Sequence, residues 1–167
     1  PLPAFGNFGG VAGVYKTPAI SATITGVFTN AAPTSPYRGA GRPEATLAIE
    51  QVIDLAGREM GIDRIELRRR NIIPPDAFPY QTALTYNYDS GEFERNMNRA
   101  LEMADAASFE ARRAKSKANG KLRGLGIANA IEQAAGMFDE GGEIRFDQEG
   151  HITVLMGTHA HGQGHET

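Results

Sequence analysis

The stretch Gly39-Ala40-Gly41-Arg42-Pro43, with the helical pattern it opens, leaves this chain the least conformational freedom. Pro43 has a fixed φ and no N–H to lose, which suits a first helical position. Behind it, Ala45, Ala48, Ile49, Val52, Ile53, Ala56 and Met60 recur at the spacing of a buried stripe, and Gly61 supplies a C-terminal stop. A helix over 43–60 with one face on a core is expected. Ahead of it, the two glycines permit a turn with positive φ and close approach of another group to the main chain. Free N–H groups just beyond Pro43 make an anion site, and Arg38 and Arg42 place two permanently charged donors beside it. The loop suits a flat or anionic ligand. An ordinary turn flanked by solvated arginines fits the same eight residues, Tyr37 to Glu44.

The rest of the chain mixes helix and sheet patterns. Residues 1–19 are rich in glycine and proline and read as irregular. Ile20 to Thr29 is β-branched and roughly alternating, which predicts a strand. Asp63 is placed to cap a short helix, Arg64 to Arg70, with Ile65 and Leu67 inward and Arg64, Arg68, Arg69 and Arg70 as a basic patch. That patch reads as a solvated or salt-bridged helix end, where cations are favourable. Asn71 to Tyr80, punctuated by prolines, is a connection and a candidate lobe boundary. A helix from about Glu92 to Ala104 follows, with Phe93, Met97, Leu101 and Met103 facing a core and Ser90 as a candidate cap. The more polar Ala106 to Ala118 reads as a solvated helix. Leu122 to Ile131 predicts a strand. Glu143–Phe146 and Ile152–Met156, around Asp147-Gln148-Glu149-Gly150, predict a β-hairpin.

Composition narrows the function classes. Seventeen basic against twenty acidic residues give a net charge of −3, which argues against charge-driven nucleic-acid binding. The chain has no cysteine, hence no thiolate metal site and no iron–sulfur cluster on its own residues. No apolar run reaches the length of a membrane span and no signal peptide opens the chain, so a cytoplasmic setting is the default expectation. Pro1 in place of a methionine, and an end at Thr167 within a loop-like stretch, read as a piece of a longer polypeptide.

That terminal stretch is the second notable feature. All four histidines, His151, His159, His161 and His165, come after Gly150. Imidazole is a common metal ligand, but a glycine-rich turn separates His161 from His165, and no cysteine or His-Glu-x-x-His partner accompanies them. Surface loop histidines are the plainer reading. A small non-catalytic anion- or metal-binding domain using the histidine-rich C-terminal loop stays open as the alternative. In a third reading the backbone is the functional part. Gly162-Gln163-Gly164 can present successive N–H groups as a nest for phosphate or cofactor oxyanions, with the Gln163 amide beside it. The two loops then call for the same kind of ligand.

Several separated stretches, in one order, resemble a known family. Pro36-Tyr37-Arg38-Gly39-Ala40-Gly41-Arg42-Pro43-Glu44-Ala45 is similar to the cofactor loop in the molybdenum-binding large subunit of the xanthine dehydrogenase/aldehyde oxidase family. The likeness is greatest to its aerobic carbon monoxide dehydrogenase large subunit-like branch. Glu66-Leu67-Arg68-Arg69-Arg70-Asn71, Phe78-Pro79-Tyr80 and Tyr88-Asp89-Ser90-Gly91 follow in the same order. Gly157 to Thr167 resembles the family's second pterin-contacting loop.

The resemblance implies an α+β fragment of the molybdopterin-binding domain of molybdenum hydroxylases, with helices packed on small mixed sheets. It implies three segments. Residues 1–75 end a first cofactor-binding lobe (strand, cofactor loop, two helices), 76–120 form a helical connection, and 121–167 start a second lobe with hairpin and glycine-rich loop. The implied cofactor is molybdopterin carrying molybdenum, in bacteria often as the cytosine dinucleotide. Tyr37, Arg38, Gly39 and Ala40 would contact it, with the molybdenum near Arg38 and Gly39 but held through the cofactor rather than by a side chain. Gly162, Gln163, Gly164 and His165 would contact the pterin and its phosphates.

The implied reaction is hydroxylation of an aldehyde, heterocycle or related small molecule with water-derived oxygen. Electrons would leave through 2Fe–2S clusters and FAD on partner chains or domains. The family's general-base glutamate would lie beyond Thr167, so no residue here is assigned a catalytic role and the fragment alone is expected to be inactive. Two departures matter. Copper-binding carbon monoxide dehydrogenases place a cysteine where this chain has Gly39, and xanthine dehydrogenases a substrate-stacking phenylalanine where it has Ala40. Both argue against carrying over those two substrates.

Overall fold

The structure, a computed structural model, describes residues 8–32, 39–132, 141–158, 162 and 164. It divides into two compact units, Pro1–Glu132 and Gln133–Thr167. The first holds helices α1 (Arg42–Met60), α2 (Arg64–Asn71), α3 (Phe93–Met103) and α4 (Phe109–Ala118), with short 3-10 turns at Pro75–Ala77 and Ala106–Ser108. A minimal antiparallel pair, β1 (Tyr80–Gln81) and β2 (Asn87–Tyr88), joins them. The second unit holds the antiparallel hairpin β3 (Gly142–Phe146) and β4 (Ile152–Met156). This is the expected α+β arrangement of helices with small sheets, except that both described sheets are antiparallel pairs rather than mixed. Among the described residues no helix is long and apolar enough to cross a membrane.

Local signals act largely as expected. Gly61 ends α1 in the left-handed region at φ 66°, and its N–H returns to the Arg58 carbonyl. Asp63 caps α2, accepting from the N–H groups of Ile65 at 2.9 Å and Glu66 at 3.0 Å. The core forms around buried Val14, Tyr15, Ile72 and Met97, with Ile49, Ile53, Phe93, Leu101 and Ile127 packed against them. Residues 14–16 join this core by pairing with the chain just after α2. Lys16 donates to the Asn71 carbonyl at 2.8 Å and Ile73 to the Val14 carbonyl at 3.0 Å. The Phe93 ring meets Phe78 and Tyr88 edge-on at 5.5 and 6.0 Å, an arrangement aromatic quadrupoles favour.

Four expectations are corrected. The α1 stripe is turned: Ala45 and Gly57 are buried, Val52 and Met60 stand exposed, and Glu50 is buried instead. The cause is Arg68, which sits fully buried under α1 and draws the Glu50 side inward. The basic patch correspondingly loses Arg68 to the interior, while Arg69 and Arg70 keep the salt-bridged helix end that was expected. Arg64 donates to the Leu125 carbonyl at 2.6 Å, while Arg69 and Arg70 pair with Glu66 at 3.2 and 2.8 Å.

The strands predicted at 20–29 and 122–131 form no ladder. Val27 and Phe28 stand exposed, and the described residues bring no second edge alongside, without which β-branched composition cannot make a sheet. In 122–131 arginine side chains take carbonyls that a ladder would have used. Finally, α3 starts too late for Ser90 to cap it: its N-cap is Glu92, without a side-chain cap, and Ser90 donates to Asp89 at 3.2 Å. Met103, in the last turn, is exposed.

In the hairpin, Ile144 opposes Val154 and Phe146 opposes Ile152, which puts one apolar set on one face. All four side chains are exposed.

Candidate functional site

The first loop is a run of three left-handed residues: Gly39 at φ 84°, Ala40 at 42° and Gly41 at 101°. Glycine adopts this region freely, but at Ala40 it costs about 1–2 kcal/mol. The surroundings offset that cost. Gly41 is the N-cap of α1, and since glycine has no side chain the cap is made by the main chain. Arg42 N–H donates to the Gly39 carbonyl at 2.9 Å and Ala45 N–H to the Gly41 carbonyl at 3.1 Å. The Arg42 guanidinium reaches the same Gly39 carbonyl through Nη1 at 3.4 Å, while Nε lies 2.9 Å from Glu132 Oε1. A Cβ at Gly39 would stand 2.4 Å from Pro43 Cδ, so the turn is closed tightly against the helix start. Glu44 sits in the first helical turn and is exposed. Tyr37 and Arg38 lie outside the described residues.

In the second loop Gly162 and Gly164 are both left-handed, at φ 84° and 83°. Gln163, His165, His159 and His161 lie outside the described residues. Just ahead of this loop, Thr158 Oγ1 is buried with no hydrogen-bond partner among the described residues. A buried polar atom normally has one.

Beneath α1 is a cluster that sequence reasoning missed. Arg68 donates through Nε to Glu50 Oε2 at 2.8 Å, through Nη1 to Asp54 Oδ1 at 2.7 Å, and through Nη2 to the Glu50 carbonyl at 3.1 Å. Tyr15 OH donates to Glu50 Oε1 at 2.5 Å, and Asn129 donates to the Tyr15 oxygen at 3.2 Å. Burial pushes the Tyr15 hydroxyl upward in pKa; Asn129 opposes this and Glu50 reinforces it. Burial pulls the Arg68 guanidinium down, but Asp54 and Glu50 outweigh it and the net shift is upward. The available clue was Glu50 itself, a charge beside Ile49 inside an otherwise apolar stripe.

Two other features are separate from these loops. A cavity of about 280 Å³, lined by Phe93, Met97, Leu101, Ile127 and Asn129 among others, contains none of the predicted site residues. Among the described residues, Asp147, Glu149 and His151 bring potential metal ligands within 4.8 Å, all exposed. Asp147 is already engaged in closing the hairpin turn. It accepts from the N–H groups of Glu149 and His151 at 2.9 and 2.8 Å, and His151 Nδ1 lies 2.9 Å from its other oxygen. Hydrogen bonds from the His151 backbone and side chain hold its carboxyl below the usual range.

A molybdopterin held largely by main-chain groups fits the residues present. At the first loop the left-handed Gly39–Gly41 run leaves its backbone covered by no side chain larger than that of Ala40, and at the second Gly162 and Gly164 are each left-handed and carry no side chain.

Comparison with known proteins agrees. Residues 4–72 and 99–167 each match a family described as molybdopterin cofactor-binding domain. The chain is 36% identical to the 6-hydroxypseudooxynicotine dehydrogenase complex subunit gamma of Paenarthrobacter nicotinovorans, over 100% of this chain and 22% of that protein. It is 32% identical to the carbon monoxide dehydrogenase large chain of Hydrogenophaga pseudoflava, over 93% of this chain and 21% of that one. The structure of quinoline 2-oxidoreductase from Pseudomonas putida 86 superposes with a TM-score of 0.76 at 31% identity, covering 97% of this chain and 22% of that chain. The chain thus spans about a fifth of the length of the curated relatives it matches. With both cofactor-domain matches in place, the chain belongs to the molybdenum-binding large-subunit family of xanthine dehydrogenases, aldehyde oxidases and aerobic carbon monoxide dehydrogenase-like proteins.

Proposed function

We propose that this chain is part of a molybdopterin-dependent oxidoreductase that hydroxylates an aldehyde, heterocycle or related small substrate with oxygen from water. The observation that carries this reading is the left-handed Gly39–Gly41 turn at the start of α1, inside a segment matching a molybdopterin cofactor-binding domain. When bound, the molybdenum centre supplies the redox chemistry. The chain's own residues bind and orient. Tyr37, Arg38, Gly39 and Ala40 contact the cofactor at the first loop, with the molybdenum near Arg38 and Gly39. Gly162, Gln163, Gly164 and His165 contact the pterin and its phosphates at the second. The three segments 1–75, 76–120 and 121–167 serve as first lobe, connection and second lobe. The general-base glutamate belongs to residues outside this chain, so the 167 residues alone are inactive.

The names of the relatives support the substrate class and the assembly. Two are named for nicotine or a derivative of it and one for quinoline, all nitrogen heterocycles. A similar carbon monoxide dehydrogenase structure is described as containing copper and molybdenum, but Gly39 offers no side chain to hold copper. Relatives named as a gamma or large subunit support partner subunits, on which 2Fe–2S clusters and FAD would carry electrons away. The cytosine dinucleotide form and a cytoplasmic setting complete the proposal.

The test is to purify the full-length subunit with its partners, measure molybdenum and released pterin, and follow incorporation of labelled oxygen from water into a nitrogen heterocycle or an aldehyde. Equimolar molybdenum and pterin with labelled product are expected. A protein with neither, holding zinc that disappears on replacing His159 and His161, would establish the non-catalytic metal-binding alternative instead.

A further inference from the structure

We propose that Arg42 and Glu132 are positioning residues for the cofactor loop, holding the left-handed Gly39–Gly41 turn in its binding shape. The inference rests on the molybdopterin reading above. Three left-handed residues in succession, one of them alanine, do not persist on local preference. The turn needs an external tie, and the structure supplies one. The Arg42 guanidinium donates through Nη1 to the Gly39 carbonyl at 3.4 Å, and its Nε stands in an ion pair 2.9 Å from Glu132 Oε1. Glu132 ends the first compact unit and follows Ile131, which packs on the core, so its carboxylate is an anchored post rather than a drifting surface charge.

The chemistry of the pair fits positioning better than bulk stability. The Arg42 and Glu132 side chains are 21% and 54% exposed, and a pair so open to water adds little to global folding. Seating of α1 depends instead on Ala45, the core and the buried Arg68 cluster. What the pair controls is local: the direction of the Gly39 carbonyl, and with it the N–H groups of the turn. A planar guanidinium can meet two acceptors in fixed geometry, whereas a lysine ammonium is a single point charge on a flexible stem. The pairing has a second consequence. Glu132 Oε2 lies 3.6 Å from where a Gly39 Cβ would be, close enough for an unpaired carboxylate to repel an anionic cofactor. Bound to Arg42, that charge is compensated.

The test uses the full-length subunit in its complex. Molybdenum and pterin content and the rate of pterin loss on dilution are compared for wild type, Arg42→Lys, Glu132→Ala and Glu132→Asp. Arg42→Lys and Glu132→Ala are expected to lower occupancy, or to speed loss, about three- to fivefold, with assembly and thermal midpoint unchanged. Glu132→Asp is expected to recover most of the difference. If Glu132→Ala fails to assemble, Glu132→Gln, which keeps the shape and removes the charge, gives the same readout. Wild-type occupancy and loss rate in these variants, or a deficit that only tracks unassembled protein, overturn the inference while leaving the cofactor reading intact. A wild-type complex with no molybdenum and no pterin overturns both.

Discussion

Arg68 and Glu50 meet in a buried ion pair, Nη2 to Oε2 at 2.7 Å, with side chains 0% and 5% exposed. The pair lies on the covered side of α1, whose first residue follows the Gly39–Gly41 turn, so it seats the helix that carries the candidate cofactor loop. Removing two charges from water is costly, and here the cost is met by near-complete satisfaction: Asp54, the Glu50 carbonyl and Tyr15 take up the remaining donors and acceptors.

Arg68→Ala should therefore destabilise the chain by about 3–5 kcal/mol, because Glu50 would be left buried and uncompensated. Replacing Arg68 and Glu50 together with Met and Leu should cost far less. Denaturant midpoints at unchanged slope are the measurement. Equal losses in the single and double variants would contradict the uncompensated-charge argument.

Stability should fall in alkali through Tyr15 and Tyr88. Burial raises both hydroxyl pKa values above the ordinary 10.0; Glu50 adds to it at Tyr15, and Tyr86 and Tyr80 add to it at Tyr88. A raised folded-state pKa means the stabilising contribution is complete below the unfolded value and is lost as pH rises through the folded one. Urea midpoints at about pH 8 and about pH 11 should differ more for wild type than for Tyr15→Phe, and least for the double Tyr15→Phe/Tyr88→Phe variant. An alkaline loss that the double variant does not reduce would place the titration elsewhere.

Asp63→Ala should cost about 0.5–2 kcal/mol and Asp63→Asn much less, since asparagine can still accept from the freed N–H groups at the start of α2. Thermal melts of the three proteins check this. Equal losses in both variants would mean that the carboxylate charge, not the cap, is what matters.

Gly39→Ala and Gly61→Ala separate backbone strain from site geometry. Both glycines are left-handed, at φ 84° and 66°, so each substitution should cost about 1–2 kcal/mol of stability. Only at Gly39 would the new Cβ also meet Pro43; at Gly61 nothing among the described residues lies within 4 Å. Gly39→Ala should lower molybdenum and pterin content in the full-length complex, and Gly61→Ala should not. Equal cofactor loss in both would remove the first loop from the cofactor site.

Much of the architecture could be read from local chemistry. Pro43 and Gly61 bracket α1, Asp63 starts α2, and the alternating residues around Asp147–Gly150 mark the hairpin, because capping, proline geometry and period-two alternation act within a few residues. The motif order likewise disclosed the family, and the glycines at 39, 41, 162 and 164 marked the turns that proved left-handed.

Tertiary structure decided what depends on partners distant in sequence. Four arginines of α2 read alike, yet Arg68 is fully buried because Glu50, itself held by Tyr15, and Asp54 meet it from another segment. Residues 20–29 and 122–131 carry strand composition but form no ladder, since a strand exists only where a second edge meets it. Glu132 and Arg42 lie far apart in sequence and become a tie only when the chain returns to the start of α1. Periodicity and capping are local energies that a sequence states outright; ion pairs and sheet edges exist only between segments that folding brings together.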